Sequence, residues 1–406
     1  MSRRGSHPSP RVLLITNQLP PVRGGSAVVY DSLARRSGGR IMVLAPRRRY
    51  EDGFPAIGWR EHDLHAPYKV VRLDLLRTAL QQHRTKLGRL LSDAFIRARL
   101  MAVIAYWIGL GDVSAICVGE LTASGWILKL CRLLPWVTRA VYIHGEEITR
   151  AGPYDPGLKR RKKALRAAHQ IIVVSRFTAA AVAELTGDGG RGRIRLIENG
   201  VDTDRFQPRP RDQELVARYD LADRFLFVSV CRLLKKKGID NALLAFATVR
   251  QQYPDSRFLV VGGGPYRPEL ERLVAERNLV PEVIFAGVVP DSELVAHYAL
   301  GDVFVMPNRR MPDGDTEGFG LVFLEANAVG LPVIAGKDGG STDAVQDEVN
   351  GLVVDGHSVE EIAAAMLRLL RDVPLREQLR RNGLQIAHAA DWRSKAHSFL
   401  DLFAAG

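Results

Sequence analysis

The sequence predicts an α/β protein of two domains, each built on a parallel sheet with helices on both faces. Short apolar segments rich in β-branched residues alternate with longer segments of helical periodicity, which is typical of repeated βαβ units. The 406 residues suffice for two domains of roughly 100 to 200 residues each. Residues 202–211 are polar and rich in proline, as domain linkers are. We therefore expect a boundary near Pro208, with a first domain over 1–207.

The strand candidates fall into two groups, one on each side of this linker. In the first half they are 12–16, 41–45, 115–118, 140–144, 170–175 and 194–198. In the second half they are 225–231, 257–262, 283–286, 303–306 and 332–335. Each group opens with a strand that leads into a glycine-containing loop and then into a helix. The two groups are each large enough for one sheet.

The net charge of +12 comes from the first half of the chain. Residues 1–205 carry 34 Lys and Arg against 17 Asp and Glu, whereas residues 206–406 carry 23 against 28. This excess of cations predicts an anionic partner for the first half. No helix-turn-helix, RNP or zinc-finger pattern is present and aromatic residues make up only 7%. The composition therefore argues against a nucleic-acid-binding protein.

Cysteine content and hydropathy indicate the compartment. Cys117, Cys131 and Cys231 form no CxxC pair and are too few for a disulfide framework, which fits a reducing cytoplasm. The longest apolar stretch, 100–110, is far shorter than the ~20 residues of a membrane-spanning helix. The apolar run 12–15 is too short for a signal-peptide core. We expect a cytoplasmic protein, and peripheral attachment to the inner face of the membrane stays open.

Residues 75–100 have the pattern of an amphipathic, cationic helix. Apolar residues recur at helical spacing at Leu76, Leu80, Leu87, Leu90, Leu91, Ala94 and Phe95. One acid, Asp93, is set against six cations, namely Arg77, Arg84, Lys86, Arg89, Arg97 and Arg99. Two interpretations remain: a core-facing helix with a solvated outer face, or attachment to an anionic membrane surface.

Two carboxylates eight residues apart, Glu317 and Glu325, bracket a glycine-rich turn and an apolar segment. Eight residues are slightly more than two helical turns, so we expect both acids on one side of a helix. Gly318 and Gly320 at the start of that helix can aim backbone N–H groups at a phosphate. The alternative is two ordinary surface glutamates, and for this motif alone that alternative would be preferred.

Cations and glycines follow the first two strands of the second half. Arg232 and Lys237 come after strand 225–231, at the sheet edge where α/β folds bind ligands. An arginine binds a diphosphate through two hydrogen bonds and a lysine adds a point charge. The run 262–264 is a tight glycine turn, centred on Gly263, that lets a ligand approach the backbone. Taken alone, the charges would be read as a solvated run and the glycines as an ordinary turn.

The first half has a similar arrangement. Its first strand leads to Gly24 and Gly25 at the start of a helix over 27–36. Strand 140–144 ends in His144, which is well placed for ligand contact or, alternatively, is a satisfied structural histidine.

Together these motifs resemble the retaining nucleotide-sugar glycosyltransferases of family 4, which have the GT-B fold. The resemblance covers nearly the whole chain, is strongest over 197–351 and is weak over 47–110. One departure is Cys231, which stands where the family commonly has glycine. The motifs, in order, are Gly24-Gly25, His144-Gly145, Ser175-Arg-Phe, Asn199-Gly-Val-Asp202, Arg232 to Lys237-Gly238, Gly262-x-Gly264-Pro265, Glu317-Gly-Phe-Gly and Glu325-Ala.

This resemblance implies two Rossmann-like, doubly wound domains that face each other across a cleft. The acceptor domain would be 1–207 and the nucleotide-sugar domain 208–385, with a C-terminal helix at about 386–406 packing back on the first domain.

The resemblance also implies a role for each site residue. Arg232 and Lys237 would bind the donor diphosphate, Glu325 the ribose hydroxyls, and His144 the transferred sugar. Glu317 would contact that sugar together with the amides of Gly318, Phe319 and Gly320. Gly24, Gly25 and Gly263 would let the donor approach the backbone. Retention without an obvious nucleophilic carboxylate implies a front-face displacement.

The donor and acceptor are less defined. Residues 313–326 look similar to bacterial GDP-mannose-dependent lipid mannosyltransferases of the phosphatidylinositol-mannosyltransferase type, which implies mannose from GDP-mannose. A UDP-hexose remains the alternative, and the acceptor could be a glycolipid, a polysaccharide intermediate or a soluble aglycone. No cofactor is expected. Asp313 and Asp315 mimic a metal-binding DxD, but because Arg232 and Lys237 already neutralise the phosphates we expect no metal.

Two other enzyme classes share part of this pattern. A GT-B-fold nucleotide-sugar epimerase would share the fold, and a phosphorylase-like enzyme would need an activated lysine for a cofactor aldimine. The Glu317–Glu325 spacing with the Arg232–Lys237 pair favours a transferase over both.

Overall fold

The protein is described by a computed structural model covering residues 12–49, 52–76, 85–150, 155 and 157–404. The chain forms two compact units. The first comprises the residues up to Ile197, apart from Ser175–Phe177, together with the C-terminal segment from Trp392. The second comprises Ser175–Phe177 and Glu198–Asp391. The division after residue 197 lies ten residues before the boundary that the proline-rich stretch suggested.

The first unit contains, among its described residues, a seven-stranded parallel sheet. The strands are β1 (Val12–Ile15), β2 (Ile41–Ala45), β3 (Val70–Arg72), β4 (Ala115–Val118), β5 (Thr138–Ile143), β6 (Gln170–Val173) and β7 (Ile194–Leu196). Their order is β3-β2-β1-β4-β5-β6-β7, so the winding direction reverses between β1 and β4. The central strands are fully buried, which explains their nearly continuous apolar sequence.

Helices cover both faces of this sheet. They are α1 (Gly25–Arg35), α2 (Trp59–His65), α3 (Lys86–Gly109), α4 (Leu121–Leu130), α5 (Glu146–Thr149), α6 (Lys159–Leu165), α7 (Arg176–Thr186) and α8 (Asp188–Arg191), with a 3₁₀ turn at Cys131–Leu133. Leu100 and Ile104 of α3, Leu128 of α4 and Leu165 of α6 share one apolar core with alternate strand residues. Tyr142 of β5 points to the other face, where it meets α1.

The second unit repeats this plan with six described parallel strands. They are β8 (Phe225–Val230), β9 (Ser256–Val261), β10 (Val283–Gly287), β11 (Val303–Met306), β12 (Val333–Gly336) and β13 (Gly351–Val354). Their order is β10-β9-β8-β11-β12-β13, with the reversal between β8 and β11. The helices are α9 (Gln213–Arg218), α10 (Ile239–Gln252), α11 (Arg267–Glu276), α12 (Leu294–Ala299), α13 (Leu321–Ala328), α14 (Ser341–Ala344), α15 (Val359–Arg371) and α16 (Val373–Ala389), with a 3₁₀ turn at Lys235–Lys237.

The chain then returns to the first unit through α17 (Trp392–Asp401), which packs on α1. Phe399 of α17 is fully buried, and its ring centroid lies 6.3 Å from that of Tyr142. Residues 386–391, expected with this last helix, remain in the second unit, because α16 continues to Ala389.

These sheets confirm the predicted α/β class of two parallel-sheet domains. The sequence prediction missed two strands, β3 and β13, which are both edge strands. Of the expected cationic helix over 75–100, residues 77–84 lie outside the described part of the chain, and α3 begins at Lys86. None of the described helices combines the length and the apolar character needed to cross a lipid bilayer.

Candidate functional site

The second sheet reverses its winding between β8 and β11, and the predicted cations follow β8 at this point. Doubly wound sheets bind ligands outside the carboxyl ends of their strands at such a reversal. Arg232, two residues beyond β8, is exposed and forms no ion pair or hydrogen bond with any described residue. Its guanidinium group is therefore available to an anionic ligand.

Lys237 and Glu317 form an ion pair in which the Lys237 ammonium donates to Glu317 Oε2. Their side chains are only 14% and 15% exposed, so the pair is shielded from solvent. Burial is the largest single influence and opposes both charges, but the attraction and hydrogen bond within the pair, together with the nearby charges of Lys236 and Asp315, outweigh it. As a result the pKa of Lys237 is raised and the pKa of Glu317 is lowered. Both groups are therefore charged at neutral pH.

A second set of polar contacts ties the loops around this pair together. Lys236 Nζ lies 2.7 Å from Asp315 Oδ1, so one acid of the DxD-like motif is engaged by a cation. Arg309, which follows β11, binds both carboxylate oxygens of Asp240, at 2.9 and 2.6 Å. Tyr266, which follows β9, donates to the same carboxylate at 2.9 Å. Three loops at one sheet edge are thus held in a fixed arrangement.

The glycine turn after β9 packs against the loop after β8. Gly262 has φ of +129°, and a Cβ there would lie 2.0 Å from the carbonyl oxygen of Cys231. Leu233 N donates to Gly263 O at 2.9 Å, which joins the two loops. The glycines therefore have a packing role besides the approach to a ligand that the sequence suggested. Burial raises the pKa of the neighbouring Cys231 thiol to about 12, so that thiol stays protonated.

The two glutamates of the spaced pair do not share a helix, and that expectation was wrong. α13 begins at Leu321, and Glu317 lies in the loop before it. Gly320 stands at the helix start with φ of +89°, and the Phe319 side chain is buried in the core. Glu317 is instead held by its backbone, because Gly340 N donates to Glu317 O at 2.8 Å. Gly318, Phe319 and Gly320 thus offer only backbone groups to a ligand at this helix start.

Glu325, in α13, is half-buried and accepts a hydrogen bond from Tyr298 Oη at 2.7 Å. Burial raises the pKa of Glu325, and the bond from Tyr298 partly offsets that rise. Tyr298 is itself fully buried and stacks on Phe304 with ring centroids 5.8 Å apart. Tyr298 fixes one carboxylate oxygen of Glu325 and leaves the other free for a ligand hydroxyl. The sequence carries no local signal for this partnership, because α12 and α13 meet only in the folded chain.

In the first unit, His144 follows β5 and belongs to a hydrogen-bonded chain. Tyr30 Oη donates to Gly119 O at 2.6 Å, so His144 Nε2, 2.8 Å from Tyr30 Oη, is the donor of the second bond. Burial lowers the pKa of His144 to about 4, and the imidazole is therefore neutral at physiological pH. Its Nδ1 is left as an acceptor that bonds to no described residue.

The other predicted residues of the first unit, Gly24 and Gly25, lie at the N-terminus of α1. Gly24 is exposed and extended, and a Cβ there would lie 3.7 Å from Gln18 Oε1, so space alone does not require glycine. A residue that sequence reasoning missed is Glu120, directly after the β4 loop glycine. Thr16 Oγ1 donates to it at 2.6 Å and Asn17 N at 2.7 Å.

Comparison with known proteins identifies the family. Residues 23–205 match the model of Glycosyltransferase Family 4, and residues 213–385 match that of Glycosyl transferases group 1. The GDP-mannose-dependent alpha-(1-6)-phosphatidylinositol monomannoside mannosyltransferase of Mycobacterium tuberculosis is 34% identical over 369 residues, which cover 89% of each chain. The enzyme of the same name from Mycolicibacterium smegmatis is 32% identical, again over 89% of each chain.

Solved structures agree on the fold. HepE of Anabaena, solved with UDP and glucose, superposes with a TM-score of 0.77 at 19% identity, covering 98% of this chain and all of HepE. Sucrose-phosphate synthase of Thermosynechococcus elongatus gives a TM-score of 0.76 at 25% identity over 98% and 100% of the two chains. The chain therefore belongs to glycosyltransferase family 4 and is a hexosyltransferase with the GT-B fold.

Proposed function

We propose that this enzyme transfers mannose from GDP-mannose, with retention of configuration, to a hydroxyl group of a mannosylated lipid acceptor. The observation that carries the proposal is that the segment after β8, at the winding reversal of the second sheet, holds both the exposed Arg232 and the Lys237 of the shielded Lys237–Glu317 pair. The specific donor and acceptor are supported by the mycobacterial relatives, whose names give GDP-mannose and a phosphatidylinositol mannoside.

The proposed role of each site residue in the second unit follows from its charge or from the hydrogen bonds that it can form. Arg232 and Lys237 bind the diphosphate, whose negative charge grows as the sugar departs, so that preorganised cations lower the barrier. Glu317 and the amides of Gly318, Phe319 and Gly320 hold the transferred sugar. Glu325, oriented by Tyr298, accepts hydrogen bonds from the ribose hydroxyls. From the first unit, the neutral His144 supplies an acceptor nitrogen for a sugar hydroxyl, and Gly24 and Gly25 admit the donor phosphates.

Retention is proposed to occur at the front face of the sugar, with the departing phosphate helping to deprotonate the acceptor hydroxyl. Metal independence is proposed as well, because the cations Arg232 and Lys237 supply the charge that a divalent ion would otherwise provide. Asp315, the second acid of the DxD-like motif, is bound to Lys236.

Attachment to the cytoplasmic face of an anionic membrane is proposed for the first unit. Near the start of α3 four large apolar side chains are more than half exposed, namely Leu87, Leu90, Leu91 and Phe95. Arg97 of α3 stacks over Trp126 of α4 at 5.3 Å, and α4 packs on α6. α6 and the residue after it carry four exposed cations, Lys159, Arg160, Lys163 and Arg166. Exposed apolar side chains on α3, with exposed cations on other helices of the same unit, suit the interface of an anionic bilayer.

The test combines donor binding with product analysis. Thermal shift with GDP, GDP-mannose, UDP and UDP-glucose should show stabilisation by the guanosine compounds, of about 2.7 kcal/mol at 100 times the dissociation constant. Incubation with GDP-mannose and octyl α-mannoside should give an α-linked product by NMR, at an equal rate in EDTA. Stabilisation by the uridine compounds alone would establish the UDP-sugar alternative, and a β-linked product would exclude retention.

A further inference from the structure

The first sheet has its own winding reversal, between β1 and β4, and the residues there have no assigned role. Thr16 and Asn17 follow β1, and Gly119 and Glu120 follow β4. Such a reversal opens a crevice outside the carboxyl ends of two adjacent strands, where doubly wound sheets bind their ligands. In the second unit the equivalent position carries the cations that we propose for diphosphate binding. The groups at the first reversal are of a different kind.

The Glu120 carboxylate is held in a fixed orientation by the neighbouring strand. Thr16 Oγ1 donates to Oε1 at 2.6 Å, and Asn17 N donates to Oε2 at 2.7 Å. A carboxylate can accept about four hydrogen bonds, so both oxygens keep acceptor capacity. Next to it, the Asn17 residue is only 9% exposed, and its side-chain amide forms no hydrogen bond with any described residue. The Asn17 amide is therefore available for hydrogen bonds with a ligand.

The local charge selects the kind of ligand. No described cation pairs with Glu120. A second carboxylate, Glu147, lies in α5, which follows the adjacent strand β5, and it accepts from His144 N at 2.8 Å and Gly145 N at 3.0 Å. Burial first, and Glu147 to a smaller degree, raise the pKa of Glu120 to about 7. An anionic ligand would be repelled here. A neutral ligand that donates through hydroxyl groups would be stabilised.

We propose that Asn17 and Glu120 form a subsite for an uncharged, hydroxyl-rich ring of the acceptor, a sugar or a cyclitol, whose hydroxyl groups donate to the carboxylate. This inference rests on the proposed function, because it assigns part of the acceptor of that reaction. It follows that different parts of the acceptor bind at different places on the first unit. The polyol ring binds at the winding reversal, and any charged part of the acceptor binds away from it, on surfaces where cations are exposed.

The test uses Glu120→Gln in the full-length enzyme, with octyl α-mannoside as acceptor and GDP-mannose as donor. Loss of a hydrogen bond to a charged group should raise the acceptor KM about ten- to one-hundredfold, while the GDP dissociation constant stays within twofold. Glu146→Gln is the matched control, since Glu146 is exposed at the same sheet edge and pairs only with Arg150 among the described residues. We expect it to leave the acceptor KM unchanged.

The pH profile separates recognition from a structural effect. Because the ionised carboxylate is the acceptor, the wild-type kcat/KM for octyl α-mannoside should fall as the pH decreases through about 7. Glu120→Gln should remove that limb while melting normally. Wild-type acceptor kinetics in a folded Glu120→Gln enzyme, or an unchanged acid limb, would overturn the subsite.

Failure of the proposed function has a different signature. If wild-type enzyme transfers nothing from GDP-mannose, the donor assignment fails, and the subsite is tested by saturation-transfer NMR with methyl α-mannoside and myo-inositol. A signal with either ring that Glu120→Gln and Asn17→Ala both lose would support the subsite. Absence of a signal in the wild type would overturn it.

Discussion

The Lys237–Glu317 ion pair joins the lysine that we propose for diphosphate binding to the glutamate that we propose for contact with the transferred sugar. Lys237 is the cation proposed for the diphosphate, yet its closest charged neighbour is a buried carboxylate. A diphosphate that approaches Lys237 is attracted by the ammonium group and repelled by Glu317. The carboxylate therefore weakens the binding of the nucleotide alone, and its benefit is expected only when a sugar is present to use it.

Glu317→Gln should bind GDP on the order of tenfold more tightly than wild type, because a shielded negative charge beside the diphosphate is removed. The same change should lower kcat by about 10²- to 10³-fold, because the contact with the transferred sugar is lost in the transition state. Isothermal titration with GDP and initial-rate measurements give the two numbers. Glu325→Gln is the control, and we expect it to change GDP affinity in the opposite direction, because loss of the proposed ribose contact should weaken GDP binding. Weaker GDP binding by Glu317→Gln would contradict the repulsion argument.

Among the elements, sequence periodicity identified every described central strand and the edge strands β7 and β10, and the two described strands that it missed, β3 and β13, both lie at sheet edges. Every residue of β1, β4 and β12 is buried. Because a strand buried on both faces needs apolar side chains at every position, its sequence is a continuous apolar run that can be recognised. β3 has three residues, and Val70 and Val71 are partly exposed at the sheet edge. β13, the opposite edge in the second unit, begins with a glycine that must sit against Val333. An edge strand has one neighbour, and its sequence is correspondingly less constrained.

For the predicted site residues, too, the sequence indicates local position better than contacts between distant segments. The positions of residues close in sequence to a strand end, such as Arg232 and His144, could be predicted because strand ends share one sheet edge, whereas their roles stay predictions. The spaced pair Glu317 and Glu325 was given the wrong geometry, because the helix starts after Gly320 rather than at the first acid. The partners Tyr298 and Glu120 depend on contacts between distant segments, and no spacing in one sequence reports such contacts.

We propose that the start of α3 attaches the protein to the membrane, and substitution of its exposed apolar side chains tests this proposal. Leu90→Glu with Leu91→Glu should abolish co-sedimentation with vesicles that contain phosphatidylglycerol, because two exposed leucines become charged. GDP binding should not change. Leu133→Glu is the matched control, an equally drastic change at a leucine that is 81% exposed elsewhere in the same unit. Vesicle binding that survives in the double variant, or that is lost equally in the control, would refute a specific role for α3.

At the scale of the whole molecule, the uneven charge acquires a chemical meaning. The first half carries the excess of cations, but its sheet edge presents the carboxylates Glu120 and Glu147. Exposed cations of the first half lie on helices such as α6. The second half is slightly acidic overall and yet places Arg232 and Lys237 at its sheet edge. The net charge of each unit therefore describes its surface as a whole. The local charge of each site is set separately, by the few side chains that follow its strands.

The return of the chain through α17 makes the stability of the first unit depend on the last residues of the sequence. Phe399 is fully buried and packs against Tyr142 of the first sheet. Phe399→Ala should destabilise that unit by about 3–5 kcal/mol through lost burial and a new cavity, while GDP still raises the melting temperature of the transition that belongs to the second unit.

Phe246→Ala is the matched control, because Phe246 is equally buried in the second unit, 5.6 Å from Phe258. Differential scanning calorimetry with and without GDP should show the first variant lowering the GDP-insensitive transition and the control lowering the GDP-sensitive one. If Phe399→Ala abolished the GDP response and left the other transition in place, α17 would have to stabilise the second unit instead.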